Sequence, residues 1–438
     1  MLFGAMPNPL ARLIGFDAEP HERKAVLLAF GFNFVLLGSY YILRPVRDTL
    51  ATVFGVGALQ QLFTGTFFIT LLCAPLFAWA AARLKLNHFL PGIFWLLLLN
   101  LLVFYALFRV APGDRWLAAA YYWWFSVVNL FLISIFWTLM ADVFSAQQAT
   151  RLYAFIAAGG STGAIAGPLV TASLVKVIGV AGLLLVAGGG FLIVILLIHA
   201  LMREKEKLCA MDDEGQKTSL DHVLPGNPLR GFTLLFRSRY LLGQAAYMLL
   251  MTWIATIFYF LQTDLIARTF PAVENRTIAF ADVDLFVNAA SAAILIFGLG
   301  RLLQRFGVTA SLMLTPIMMA AACLAIAVAP SFLLVQAGRA MQRISQYAIA
   351  RPSREVLFTV VDQQSKYKAK NVIDTTVYRF GDLTAAWLQA GLRAIGFGIV
   401  GVMGFGIAVS LVWGLVAAMM GRRYEALGGT RRGAVAAE

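Results

Sequence analysis

The sequence has few charged residues. Only 13% of its 438 residues are Asp, Glu, Lys or Arg, whereas 60% are hydrophobic. A soluble domain carries about 25% charged residues. So few charges cannot cover a surface that faces water, which excludes a soluble enzyme, a nucleic-acid-binding protein and a disordered chain. The apolar residues form runs of about 18 to 24, the length of helix that crosses a bilayer core. The composition therefore predicts an all-α membrane protein.

Residues that carry redox, metal or nucleotide-hydrolysis chemistry are also scarce. The chain has three cysteines and four dispersed histidines without metal-ligand spacing, and it contains no Gly-Lys-Ser/Thr phosphate loop. We therefore expect no structural disulfide, no metal, no cofactor and no enzymatic activity. The first 24 residues lack an apolar core after a basic start, so we expect no cleavable signal peptide.

The apolar segments predict twelve transmembrane helices in two six-helix halves. The predicted spans are 25–43, 60–82, 89–108, 117–140, 154–175, 178–201, 240–262, 283–300, 308–329, 331–350, 372–394 and 396–420. A polar stretch with a charge run, Gly and Pro separates the halves and is predicted to be a linker. The predicted regions are an N-terminal segment, the first bundle, the linker, the second bundle and a C-terminal tail, at 1–24, 25–201, 202–239, 240–420 and 421–438.

Lysine and arginine are distributed unevenly among the predicted loops. The chain has 35 of them against 22 acids, which gives a net charge of +13. With the N-terminus in the cytoplasm, 24 of the 35 lie in cytoplasmic segments and six in the opposite loops. Because Lys and Arg collect in cytoplasmic loops, this bias favours cytoplasmic termini and an even number of spans.

A weak internal repeat relates the two halves. Tyr41 and Gly163 match Tyr259 and Gly381 at an offset of 218 residues. At an offset of 216, Asp48 matches Asp264, and Gln147-Gln148 matches Gln363-Gln364. Two six-helix halves joined by a long loop are the organisation of major facilitator superfamily transporters, and the segment GRLLQRFG at 300–307 resembles the short cytoplasmic motif of that superfamily. We expect this fold.

Polar residues follow one face of predicted span 10. Gln336, Arg339, Arg343, Gln346 and Tyr347 are spaced by 3, 4, 3 and 1 residues, which places them on one side of a helix. A charged side chain at the bilayer centre costs roughly 2.5–3.5 kcal/mol. Two arginines on this face therefore indicate a wet cavity or acidic partners.

Two more predicted spans carry charge. Arg44, Arg47 and Asp48 lie at the edge of span 1, and span 11 contains Asp374, Arg379 and Asp382. Guanidinium groups bind phosphate or carboxylate in a bidentate manner, so we predict that the five arginines of spans 1, 10 and 11 contact a polyanionic solute. The three acids are then candidates for coupling or gating. The alternative is a set of structural ion pairs or anchors, such as Arg379 with Asp382, or either span 1 arginine with Asp48.

Two patterns in the first half concern packing and the membrane interface. Gly159, Gly163 and Gly167 are spaced by four and predict a close approach of another helix. The aromatic run at 121–124 predicts an interfacial belt, with a stacking platform for a base as the alternative.

Two segments resemble the ATP/ADP translocases of plastids and intracellular bacteria. They are YILRPVRDTL at 41–50 and VLFTVVDQQSKYKAKNVIDT at 356–375, the second preceded by Arg354-Glu355. A looser similarity covers 136–153. The resemblance implies a carrier of the major facilitator type that exchanges ATP and ADP, or other nucleotides, without hydrolysis.

The resemblance also compares single positions. It puts Arg47 at a cationic family position, and Phe125 and Tyr259 where the family has functional glutamates. Asp382 falls where the family has a lysine. The resemblance thus implies common descent and leaves the cargo open.

Two functions follow as hypotheses. The first is a secondary-active carrier of the bacterial inner membrane that moves a nucleotide or another phosphorylated anion by alternating access, NTP/NDP exchange being one form. The second is a proton-coupled transporter of an unrelated small organic solute, suggested by the intramembrane acids. A non-transporting scaffold or sensor is the least favoured class. The expected partners are a small anionic solute and the lipid bilayer, without nucleic acid, and the chain is expected to work as a monomer.

Overall fold

The computed structural model describes residues 18–83, 86–211 and 230–428. Within these ranges the regular secondary structure is helical, and no strand occurs. Most of the predicted N-terminal segment, the middle of the predicted linker and the end of the predicted tail lie outside the described residues.

The described part of the chain forms fourteen α-helices. They are α1 Arg23–Phe54, α2 Leu59–Arg83, α3 Leu86–Val110, α4 Arg115–Val143, α5 Ala146–Met211, α6 Arg230–Arg237, α7 Arg239–Thr269, α8 Val273–Phe297, α9 Leu299–Val328, α10 Phe332–Ser345, α11 Arg351–Val356, α12 Gln363–Val372, α13 Tyr378–Ala394 and α14 Ile399–Ala426. Two 3₁₀ turns lie at Val56–Ala58 and Leu357–Val360, and two π-helical turns lie at Gln346–Ala350 and Ile373–Val377.

Long apolar helices dominate this part of the chain. Among the described residues, nine helical segments are long and apolar enough to cross a membrane. The chain is therefore an all-α, multi-pass membrane protein, as its composition predicted. The count of twelve spans stays a prediction.

One of these segments contains a break where two spans were predicted. Helix α5 is 66 residues long, but Gly179 interrupts it with φ 71° and ψ 173°. Glycine adopts a positive φ readily because it has no Cβ. The break lies at the start of predicted span 178–201, four residues after the end of predicted span 154–175.

Polar caps fix the starts of three helices. Asp114 Oδ1 accepts a hydrogen bond from the Leu117 amide at 2.7 Å, at the start of α4. The hydroxyl groups of Ser238 and Ser331 accept bonds from amides in the first turns of α7 and α10. Such caps satisfy amides that have no partner inside the helix.

The described residues divide into two compact units. Unit 1 takes its residues from Met1–Val53, Leu72–Leu224 and Ala272–Leu285. Its core contains buried rings from α1, α3, α4 and α5, among them Phe32, Phe94, Phe136 and Phe191. The rings of Phe32 and Phe136 meet edge to face, with their centres 5.1 Å apart.

Helices α1 and α5 approach each other closely inside unit 1. A Cβ added at Gly159 or Gly163 would collide with the carbonyl oxygen of Phe30 or Phe34. Only a residue without a side chain fits these two positions, and the predicted packing role of the glycines is confirmed.

Unit 2 comprises Phe54–Leu71, Pro225–Pro271 and Phe286–Glu438. Its core is built around Tyr247, Phe258, Phe358 and Trp413, all fully buried. The rings of Tyr247 and Trp413 lie 5.4 Å apart, and the Tyr247 hydroxyl donates to the Leu312 carbonyl oxygen at 3.4 Å. These contacts join α7, α9 and α14.

Candidate functional site

In unit 1, Arg47 on α1 lies over two aromatic rings of α4. Its guanidinium carbon is 5.2 Å from the centre of the Tyr122 ring and 5.6 Å from that of Phe125. The same side chain donates through Nε to Asp48 Oδ1 at 2.8 Å, and Nη2 also donates to this oxygen. Ring faces attract cations, so α4 and Asp48 together hold Arg47 in place.

Arg44, one turn earlier on α1, forms a different ion pair. Its Nη1 lies 3.5 Å from Asp284 Oδ1 on α8, and the two side chains are only 9% and 2% exposed. Two charges this deeply buried need each other, because a buried ion without a counter-charge is strongly destabilising. Sequence reasoning missed Asp284, whose position in a predicted apolar span gave no sign of this contact.

The aromatic run of α4 does not form an interfacial belt as a whole. Tyr121 and Tyr122 are buried in unit 1, at 0% and 4% exposure. Tyr121 packs against Phe104, with ring centres 5.2 Å apart, and Tyr122 lies under Arg47. Packing against α3 and α1 therefore overrides the interfacial location that the pattern indicated for these two residues.

In unit 2, Arg339 of α10 is anchored by neutral groups of two helices. Its Nη1 donates to the Ala255 carbonyl oxygen of α7 at 3.0 Å and to Gln342 Oε1 at 2.6 Å. Its guanidinium carbon lies 5.5 Å from the centre of the Tyr259 ring. The arginine is 9% exposed, and these contacts hold the planar guanidinium in one orientation.

Amide side chains extend the polar face of α10 in both directions. Gln342 Nε2 donates to Gln346 Oε1 at 2.7 Å, and Gln262 Nε2 of α7 donates to Gln336 Oε1 at 2.8 Å. The spacing along α10 thus correctly predicted a continuous polar face, and the structure adds Gln262 as a partner.

Arg343 lies one turn beyond Arg339 on the same face. It is 4% exposed, and its guanidinium carbon is 5.9 Å from the centre of the Tyr347 ring. Helix α10 and the π-helical turn that follows it contain these two arginines and no acidic residue. The polar face of α10 therefore carries two arginines and no acidic residue.

The charged residues of predicted span 11 separate into two ion pairs. Arg379 Nη1 lies 3.5 Å from Asp382 Oδ2, and Thr256 Oγ1 donates to Asp382 Oδ1 at 3.4 Å. Asp374 does not join this pair. Its Oδ1 instead accepts from Nη2 of Arg354 on α11 at 2.5 Å.

Arg354 is a second residue that sequence reasoning did not select. It is buried, and it also lies 3.5 Å from Glu355, which pairs with Lys370. The Arg354-Glu355 dipeptide beside the segment 356–375 was the available signal, but it lies between the predicted spans 331–350 and 372–394.

Comparison with known proteins agrees with the sequence resemblance. No family model matches the chain. The chain is 23% identical to ADP,ATP carrier protein 1 of Chlamydia pneumoniae, over 93% of its own length and 92% of that protein. It is 24% identical to ADP,ATP carrier protein 1 of Chlamydia trachomatis serovar D, over 92% and 89% of the two lengths.

Solved structures share the fold at lower identity. The nucleoside transporter NupG is 13% identical with a TM-score of 0.60, and the match covers 92% of this chain and 99% of that one. A POT family transporter is 10% identical with a TM-score of 0.62, over 92% and 96% of the two chains. The chain thus has the fold of these solved transporters, and over most of its length it is a divergent relative of the ADP,ATP carrier proteins.

Proposed function

We propose that the chain is a secondary-active transporter that moves a nucleotide or another phosphorylated anion by alternating access. The observation that carries this proposal is the cationic face of α10. Arg339 and Arg343 are both buried there, on a helix without acidic residues. The planar guanidinium group matches phosphate geometry, so this face suits a phosphorylated solute.

The other predicted binding residues have supporting roles in this scheme. Arg44, Arg47 and Arg379 each lie beside a carboxylate. Such a pair can exchange its carboxylate for a phosphate when cargo enters. We therefore assign Asp48 and Asp382 to gating, since each would release an arginine to the substrate. Asp374 gates through Arg354.

The similarity to ADP,ATP carriers supports a nucleotide as cargo. The departures from the family pattern support a range of cargo wider than ATP and ADP. Phe125 and Tyr259, at the positions of the family glutamates, place ring faces under Arg47 and Arg339. An aromatic ring holds a guanidinium without cancelling its charge. Each of these arginines is therefore suited to phosphorylated anions beyond ATP and ADP.

The proposal includes an arrangement in the membrane. Six-helix bundles at 25–201 and 240–420 are joined by a cytoplasmic linker, and both termini are cytoplasmic in a bacterial inner membrane. The charge bias among the loops supports this orientation, and the internal repeat supports the two bundles. The working unit is a monomer.

The test is exchange in proteoliposomes that contain the purified chain. Labelled ATP, ADP and other phosphorylated metabolites are offered outside, with the same compounds or buffer alone inside. The expected result is uptake that depends on an internal phosphorylated anion. The absence of uptake for every compound, with protein confirmed in the bilayer, would contradict the proposal.

A second candidate is a proton-coupled transporter of an unrelated organic solute. The Arg379–Asp382 pair with Thr256 favours it, since an intramembrane carboxylate beside an arginine can serve as a proton relay. An imposed pH gradient separates the two functions. Uptake that follows the gradient and is lost in Asp382→Asn would support the second candidate, whereas uptake that ignores the gradient would support exchange.

A further inference from the structure

Three planar side chains form a stack in unit 2. The guanidinium carbon of Arg351 lies 4.9 Å from the centre of the Tyr347 ring and 5.9 Å from that of the Tyr378 ring. Arg351 begins α11, whereas Tyr378 begins α13, so the stack joins two segments of the chain. All three residues are half-buried, which leaves part of the stack accessible.

The backbone is irregular on both sides of this stack. The Arg351 amide donates to the Gln346 carbonyl oxygen, and the Tyr378 amide donates to the Ile373 carbonyl oxygen, five residues back in each case. Both residues therefore follow directly on π-helical turns. Such turns are rare and frequently lie at functional sites. Their presence in two separate segments that meet at one stack is an observation independent of the side chains.

Two further arginines lie beside the same two rings. Arg343 lies 5.9 Å from the Tyr347 ring centre, and Arg379 lies 5.8 Å from that of Tyr378. We call the five groups Arg343, Tyr347, Arg351, Tyr378 and Arg379 the tyrosine–arginine ladder. It contains three cations and two aromatic rings, and Arg379 connects it to Asp382.

The ladder presents two kinds of surface. Tyrosine rings and guanidinium planes both stack on flat aromatic rings such as nucleobases. The edge of a stacked guanidinium keeps its N–H groups in the plane, where they bind phosphate. We infer that the ladder is the subsite that recognises the planar aromatic ring of the cargo, with Tyr347 and Tyr378 as specificity-determining residues. This inference rests on the proposed function, and it narrows the cargo to phosphorylated anions that carry such a ring.

The test compares a ligand that has a ring and phosphates with a ligand that has phosphates alone. The purified full chain is titrated with ATP and with inorganic tripolyphosphate, which has the phosphates but no ring. Tyr378→Ala is compared with Tyr378→Phe, which keeps the ring, and with Phe380→Ala, a 46% exposed aromatic residue on the same helix. Tyr378→Leu is a second ring-free variant that keeps more apolar volume and protects the test against misfolding.

We expect both ring-free variants to weaken ATP binding by about 5- to 150-fold, the range for one stacked base. Tripolyphosphate binding should stay at the wild-type value in every variant. Phe380→Ala should leave the binding of both ligands unaffected, and Tyr378→Phe should restore the ATP binding that the ring-free variants lose.

Two outcomes would overturn the inference about the ladder without affecting the proposed function. They are an equal loss of ATP and tripolyphosphate binding in Tyr378→Leu, and unchanged ATP binding in both ring-free variants. A wild-type chain that binds neither ligand would instead overturn the proposed function, and the ladder with it. The titration of wild type thus distinguishes the two failures.

Discussion

Both units contain a contact between a guanidinium group and an aromatic ring. In unit 1 the first helix of the pair supplies the arginine and the second the rings, whereas in unit 2 the first helix supplies the ring and the second the arginine. In unit 1 the cation is Arg47 on α1, and the rings belong to α4. In unit 2 the ring is Tyr259 on α7, the repeat counterpart of Tyr41, and the cation is Arg339 on α10. Adding the repeat offset of 218 to Phe125 gives Arg343, so a ring in one unit corresponds to a cation in the other.

The units differ in how the arginines are held. Arg44 and Arg47 of unit 1 each contact a carboxylate, on α8 and α1 respectively. Arg339 of unit 2 donates to a backbone carbonyl and a glutamine amide. Carboxylates offset positive charge, and neutral acceptors orient a guanidinium without doing so. We therefore propose different roles, with ion pairing for Arg44 and Arg47 of unit 1 and contact with the cargo for Arg339 of unit 2.

The largest expected effect is on the buried ion pair of unit 1. Asp284→Ala leaves Arg44 buried without this carboxylate and should lower the free energy of unfolding by about 3–5 kcal/mol. Asp264→Ala is the control, because its partner Arg268 is 74% exposed and such a pair contributes about 0–1 kcal/mol. Unfolding in detergent measures both. Equal losses in the two variants would show that the Arg44–Asp284 pair is not structural.

The next effect concerns Arg339 and Arg47, the arginines that lie against aromatic rings in the two units. Arg339→Lys loses the Nη1 group that donates to Ala255 and Gln342. We expect its initial rate of substrate uptake to fall roughly 10- to 150-fold, the equivalent of one hydrogen bond to a charged group. Arg47→Lys should keep most of its rate, because an ammonium can still pair with Asp48. If the lysine at position 47 were the more damaging one, the assignment of roles to the two units would be reversed.

The smallest effect concerns two glycines at repeat-related positions. A Cβ at Gly163 would meet the backbone of Phe34 and Gly38, whereas a Cβ at Gly381 would meet the Thr252 hydroxyl, which can rotate away. Gly163→Ala should therefore cost about 1–3 kcal/mol of stability, as overpacking does, and Gly381→Ala less. Thermal unfolding of both variants checks the order, and a larger loss for Gly381→Ala would refute it.

The fold class and the polar face of α10 could both be predicted from the sequence. Apolar runs of bilayer length require helices, because only closed backbone hydrogen bonding is tolerated in lipid. The spacing of Arg339 and Arg343 fixed their common face, since helical periodicity is local. The Arg379–Asp382 pair was also accessible as a structural alternative, because its partners are three residues apart.

Contacts between distant segments were not accessible from the sequence. The predicted first span ended at residue 43, yet α1 continues to Phe54. Hydropathy counts Arg44 as a full charge and cannot include its partner Asp284 on α8. The pair of Arg354 with Asp374 and the two π-helical turns were missed for the same reason, because each depends on how separate helices pack.

Uptake by the α10 arginine variants tests whether Arg339 and Arg343 bind the transported anion. Initial rates of labelled ATP and ADP exchange are measured in proteoliposomes for wild type, Arg339→Ala and Arg343→Ala, with Arg268→Ala as an arginine control outside the site. We expect nucleotide exchange by wild type and the control. In both α10 variants the initial rate of exchange should fall by at least about tenfold, as expected when a charged hydrogen-bond donor is removed. Exchange that is unchanged in both variants would contradict this role of the two arginines.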